Sequence, residues 1–203
     1  MRRGALLLAL LLAACSQGVV TEQDGEGALF STKGTSWGVW QGGRHADVGQ
    51  VWSFGGVMLC RSAPEDRTSL RSLEPASVEG QVRVEPIAIR TVLKPPQGDP
   101  DPDPDVYFVG AMRGAPRNLH KPDGWVVQNT CEGERVSEIV ITMAKSGPEG
   151  GGISGISVSY IWNDRLHEFV IPVTFGICGT ATQDHCWEGV TEPTTTATAT
   201  GSA

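Results

Sequence analysis

Gly34-Thr35-Ser36-Trp37-Gly38 has the G-x-S-x-G spacing of a hydrolase nucleophile. In such enzymes the serine sits on a strained turn between a strand and a helix, above a parallel sheet. Here a glycine-rich stretch surrounds the motif and no helical pattern follows it. His45, His120, His167 and His185 are dispersed, and none is spaced to join a serine to an orienting carboxylate. His167 shares the parity of Phe169 and Ile171, which predicts a partly exposed structural residue at a strand end. Asp99, Asp101, Asp103 and Asp105 alternate with Pro100, Pro102 and Pro104. Calcium loops bend carboxylates inward around six to eight oxygens, whereas alternating prolines hold a chain extended and spread its charges. A stiff acidic connection is expected. Cys178, His185 and Cys186 lie close together, but at no common zinc spacing. The glycines from Gly147 to Gly152 lack the following helix that a phosphate cradle needs. No catalytic residue, metal or cofactor is therefore expected, and the protein reads as non-catalytic.

Six tryptophans are the stronger functional signal. Trp125 and Trp162 fall in strand patterns and are expected in the core, and Trp52 fits either setting. Trp37, Trp40 and Trp187 fall in loop-like stretches, as candidates to stack on a sugar or meet a protein partner. The competing expectation is that they cap the ends of the domain.

The elements that must position these residues are strands. Ile156, Val158, Tyr160 and Trp162 alternate with polar residues, Asn163-Asp164 signals a turn, and Phe169 to Ile177 alternates again. This predicts a hairpin, with Pro172 at an edge or a bulge. Ile139, Ile141 and Met143 mark the preceding strand, which suggests a three-stranded meander. Further strands are expected at 51–60, broken near Gly55-Gly56, at 69–73, at 81–93 with a bulge near Pro86, at 106–112 and at 125–127. No ten-residue amphipathic helix is apparent. The expected fold is all-β, an antiparallel β-sandwich with the immunoglobulin-like arrangement as its candidate form and a barrel as the alternative.

Arg2 and Arg3 precede a short apolar run that ends Leu12-Ala13-Ala14-Cys15. The run is too short to span a bilayer, which takes roughly 20 apolar residues. Its charge, apolar and small-residue order resembles the signal peptide and lipobox of a bacterial lipoprotein. The resemblance implies cleavage before Cys15, a diacylglyceryl group on its thiol, and a place on the extracytoplasmic face of the cell membrane. The globular part loosely resembles small exported β-rich domains of actinobacterial lipoproteins. That likeness rests on the Trp52-Ser53-Phe54-Gly55-Gly56 segment before Cys60 and the final hairpin before Cys178, and it carries no activity to transfer.

Cys60, Cys131, Cys178 and Cys186 then remain, an even number in an exported chain, and two disulfides are expected. Three connectivities are possible. Cys60 with Cys178 and a local Cys178–Cys186 loop are both open, and the meander disfavours Cys131 with Cys178. Residues 1–14 read as the signal, 15–44 as a tether, 45–190 as one domain and 191–203 as a Thr-rich disordered tail. Removing Arg2 and Arg3 with the signal takes the net charge from −7 to about −9. Such an acidic chain is a poor ligand for nucleic acid, whose affinity comes from Lys and Arg displacing counterions. The expected partners are the membrane, through lipid at Cys15, and a cell-wall component or envelope protein.

Overall fold

The computed structural model describes residues 20–21, 29–31, 37–40, 46–61, 63, 67–93, 103, 105–107 and 111–178, the first three segments as backbone only. Twelve strands run through them in chain order: β1 Val20–Thr21, β2 Leu29–Ser31, β3 Trp37–Trp40, β4 Val51–Arg61, β5 Thr68–Gly80, β6 Val82–Val84, β7 Ala88–Leu93, β8 Ala111–Arg113, β9 Val126–Val127, β10 Arg135–Lys145, β11 Gly151–Trp162 and β12 Arg165–Ile177. None of the described residues is helical. They form two sheets, and the fold is an all-β sandwich. Sheet A runs β1-β12-β11-β5-β9, with β3 also on β12; sheet B runs β2-β4-β10-β6, with β7 on β10 and β8 on β4.

Alternation sets which face is buried. Phe54, Val57 and Leu59 of β4, Ile89 of β7, and Ile139, Ile141 and Met143 of β10 face Leu70, Leu73, Ile153, Val158, Phe169, Ile171 and Phe175 of sheet A in one core. Phe54 and Phe175 meet across the sandwich with ring centroids 5.6 Å apart. Trp52, Trp125 and Trp162 pack against this core half-buried.

The last hairpin is as expected. Asn163 and Asp164 have φ of 50° and 58°, the paired positive values of the tight turn that matches strand twist. Ser154 faces Thr174 and Ile156 faces Ile171, so Pro172 and Val173 oppose Gly155 alone. Pro172 therefore sits in a bulge, where its missing donor costs little. β4 runs through Gly55-Gly56 unbroken, but its register shifts there against β10. The slip near Pro86 is also present: Met143 faces Val84, whereas Ile139 faces Ile89.

The meander is overturned. β10 pairs with β4, β6 and β7, while β11 and β12 belong to the other sheet. β10 is buried on both faces, which suits the centre of a sheet rather than the start of a hairpin array. The glycine run after it carries the chain between sheets. Gly80-Gln81 makes a second crossing, from β5 into β6. β5 is also far longer than the expected strand at 69–73. The tether stretch 15–44 contributes β1 and β3, which lie parallel along β12, and β2, which lies antiparallel to β4.

The sandwich has two distinct ends. Around the 163–164 turn, Trp162 faces Thr68, Thr68 faces Val127, and the Arg61 amide donates to Asn129 O at 2.9 Å. At the other end Gly151 faces both Gly80 and Ile177, and Lys145 faces Val82. The buried Lys145 Nζ donates to Ala46 O there at 2.9 Å.

Cys60 and Cys131 are bridged, with Cα atoms 4.8 Å apart, at the 163–164 end. That rules out the Cys60–Cys178 pairing. Cys178 is itself disulfide-bonded, to a cysteine outside the described residues.

Candidate functional site

Among the described residues, β5 and β6–β7 each leave a backbone edge without a strand neighbour over part of their length, and residues of both line one groove. On sheet A, β9 covers β5 only at Thr68 and Ser69, with Leu70 exchanging bonds with Gly124 and Trp125. From Arg71 to Gly80 no other described strand pairs on that side. On sheet B, β10 is the one described strand that pairs with β6. Among the described residues, the outer edge of β7 is closed where His120 exchanges both backbone bonds with Ile89 and where the Leu93 amide donates to Val106 O. Between the edges runs a groove of about 810 Å³.

Leu73 and Ile87, both buried, form part of the groove's lining, joined by Pro75, Pro86, Ala88 and Val84. Val78, 50% exposed, flanks one end. Leu119, His120, Lys121, Pro122 and Asp123 close the other. The Pro122-Asp123-Gly124 turn expected from the sequence shapes that closure: the Trp125 amide donates to Pro122 O at 2.8 Å and Gly124 has φ +77°. The His120 ring lies 5.0 Å from that of Trp125. Arg71 pairs with Asp123 at 3.4 Å and Arg83 with Glu85 at 3.1 Å, all well exposed, so these pairs add little to stability. Both signs of charge line the groove: Arg71 and Lys121 against Glu74, Glu85 and Asp123. Such a rim suits a ligand of mixed or low charge, with backbone-type donors and acceptors.

No family model matches the chain, and no curated protein matches it.

The sequence-based candidates fall elsewhere. Cys15, Ser36, His45, Asp99, Asp101, Trp187, His185 and Cys186 lie outside the described residues, as do the side chains of Trp37 and Trp40. Asp103 and Asp105 serve loop geometry: the Asp105 amide donates to Asp103 Oδ1 at 2.9 Å, and Asp105 accepts the Arg117 amide at 3.0 Å. Among the described residues no cluster of three or more His, Cys, Asp or Glu side chains could hold a metal. His167 is buried rather than partly exposed. It stacks on Tyr160 at 5.2 Å and leans on Trp162 at 5.5 Å, because its parity points it inward beside Phe169.

Two features escaped the sequence reading. One is the groove, which depends on the β5-to-β6 crossing. The other is a buried ion pair, Arg90 with Glu138, on the outer face of sheet B. The signal for it was the parity of β7 and β10: Arg90 alternates with Ile89, and Glu138 with Ile139.

Proposed function

We propose that this chain is a lipid-anchored, non-catalytic protein of the cell envelope, and that its groove takes an extended polypeptide segment of an envelope partner. The observation that carries the reading is the pair of strand edges, each partly without a strand neighbour among the described residues, that line one apolar cleft. An added strand gains main-chain hydrogen bonds from an edge, and pockets for alternate side chains supply selectivity. From Leu73 to Val78 the edge is about 17 Å long at 3.3 Å per residue, the length of an ordinary strand. Glu74, Pro75, Glu85 and Pro86 guard the edges against indiscriminate pairing, as charges and prolines do on exposed strands.

Cysteine bookkeeping supports the anchor. With Cys60 and Cys131 joined, the partner of Cys178 is Cys15 or Cys186. Val20 lies beside His167, and Cys178 is eleven residues further along β12, about 36 Å away. Cys15 is five residues before Val20 and reaches at most about 18 Å. Chain reach therefore supports Cys186 as the partner, a pairing that would leave the Cys15 thiol for acylation.

A photo-crosslinking residue at Glu85 in the groove and, separately, at the exposed Val170 on sheet A tests the reading in cells. The expected result is one adduct from Glu85 alone, mapping to an extended segment of an envelope protein and suppressed by that segment as a synthetic peptide. Equal adducts at both positions, or none at Glu85, would overturn it. The Trp125 ring lies 5.0 Å from that of His120, which lines the groove's closed end. A shift of the Trp125 emission on adding cell-wall polysaccharide at millimolar concentration would assign the groove to sugar instead.

A further inference from the structure

The direction in which the amino-terminal strands are laid down fixes which end of the sandwich faces the membrane. This rests on the reading that Cys15 carries the lipid. Val20 and Thr21 pair in parallel with His167 and Glu168, near the start of β12. Leu29 faces Arg61 and Ser31 faces Leu59, so β2 begins at the same end. Trp37 to Trp40 then pair with Val173 to Gly176, towards the far end of β12. The chain therefore climbs the sandwich from the 163–164 turn towards Ala46, which accepts from Lys145 at the opposite end.

β12 has 13 residues and spans about 40 Å. The link from Cys15 to Val20 reaches about 18 Å at full extension. A lipid at Cys15 can bring the 163–164 end to the bilayer surface, and it cannot bring the Glu149 end there without detaching β1. We infer that the face formed by Arg165, Glu134 and the Cys60–Cys131 bridge is membrane-proximal, and that Asp47, Glu149 and the Gly80-Gln81 corner are membrane-distal. The groove then opens sideways. Its Arg71 end lies lower and its Val78 end higher, so a partner segment enters parallel to the membrane normal, alongside β5.

The test uses the acylated full chain in vesicles of phosphatidylcholine and phosphatidylglycerol, with a fluorophore on Arg165→Cys or on Glu149→Cys and headgroup-nitroxide lipids as quencher. Quenching at position 165 should exceed that at 149 at least about threefold, since nitroxide contact does not extend across a span of about 40 Å. Glu134→Cys and Asp47→Cys form a second pair on different elements, in case a label disturbs the first. Flotation of the chain with vesicles is read first, against Cys15→Ser. A chain that does not float loses the anchor and this mounting with it. A chain that floats with equal or reversed quenching in both pairs keeps the anchor and overturns the mounting alone.

Discussion

Arg90 Nε and Nη2 both reach Glu138 Oε2, at 2.8 and 2.7 Å, with the two side chains 1% and 0% exposed. The pair lies outside the main core, on the covered outer face of sheet B. Glu138 Oε1 accepts the Gly56 amide at 3.0 Å, and Arg90 Nη2 also donates to Tyr107 O at 3.4 Å. The pair thereby ties together β7, β10, the bulge of β4 and the backbone at Tyr107. Two ions taken out of water gain little over a well-packed apolar pair, yet an orphaned partner is costly. Arg90→Met and Glu138→Leu should each lower unfolding free energy by about 3–5 kcal/mol, and the double variant should recover most of that loss. Urea denaturation of all four proteins measures the coupling. Additive losses would mean that the pair is not a unit.

The strands with one buried face were legible: β11, β12 and the slip at Pro86 followed from alternation alone. β5 was not. Its second half, Glu74 to Gly80, alternates just Ala76 and Val78, both exposed, so no buried face announces a strand, and backbone pairing to glycine-rich β11 holds it in place. Sheet membership was equally hidden, because a strand pattern fixes which faces are buried and says nothing of which neighbour is hydrogen-bonded. The meander failed for that reason at Gly147–Gly152. The groove exists only because β5 and β6, adjacent in the chain, sit in different sheets. His167 was legible in parity, and its exposure was misjudged because Tyr160 and Trp162 are large enough to close the end of the sandwich over it.

Gly152 and Gly114 separate two reasons for glycine. A Cβ on Gly152 would lie 2.1 Å from Phe175 O and 2.8 Å from Gly176 Cα, both backbone. The neighbouring strand cannot yield without losing register, so Gly152→Ala should cost about 3 kcal/mol or more. Gly114 has φ +82° with nothing within 4 Å of a Cβ. Gly114→Ala meets only the left-handed backbone penalty, about 1–2 kcal/mol. Urea midpoints rank the two, and the reverse order would contradict the strand packing between β11 and β12.

The turn at 163–164 makes a narrower prediction. Both residues need positive φ, which Asn and Asp tolerate and β-branched residues do not. Asp164→Val should cost about 1–2 kcal/mol, while Asp164→Gly should leave stability within about 1 kcal/mol of the native chain. Thermal unfolding of the two variants is the measurement. Equal melting temperatures would show that the hairpin forms with another turn.

The Cys60–Cys131 bridge closes a long loop, with the two residues 71 apart in sequence. In the chain-entropy account, a loop of that length stabilises the fold by about 4 kcal/mol through the unfolded state. The bridge also joins the end of β4 to the segment before β10, two strands already paired with each other, so its removal should leave the native register intact. Cys60→Ala with Cys131→Ala should therefore lower the unfolding free energy by about 4 kcal/mol, with an unchanged far-ultraviolet circular dichroism spectrum below the transition. Leaving Cys178 untouched keeps the second bridge as an internal control, since a peptide map of the variant should still return Cys178 joined to Cys186. A variant as stable as the native chain would mean that the unfolded ensemble is already compact around this loop. A map showing Cys178 joined to Cys15 would remove the chain-reach argument on which the anchor depends.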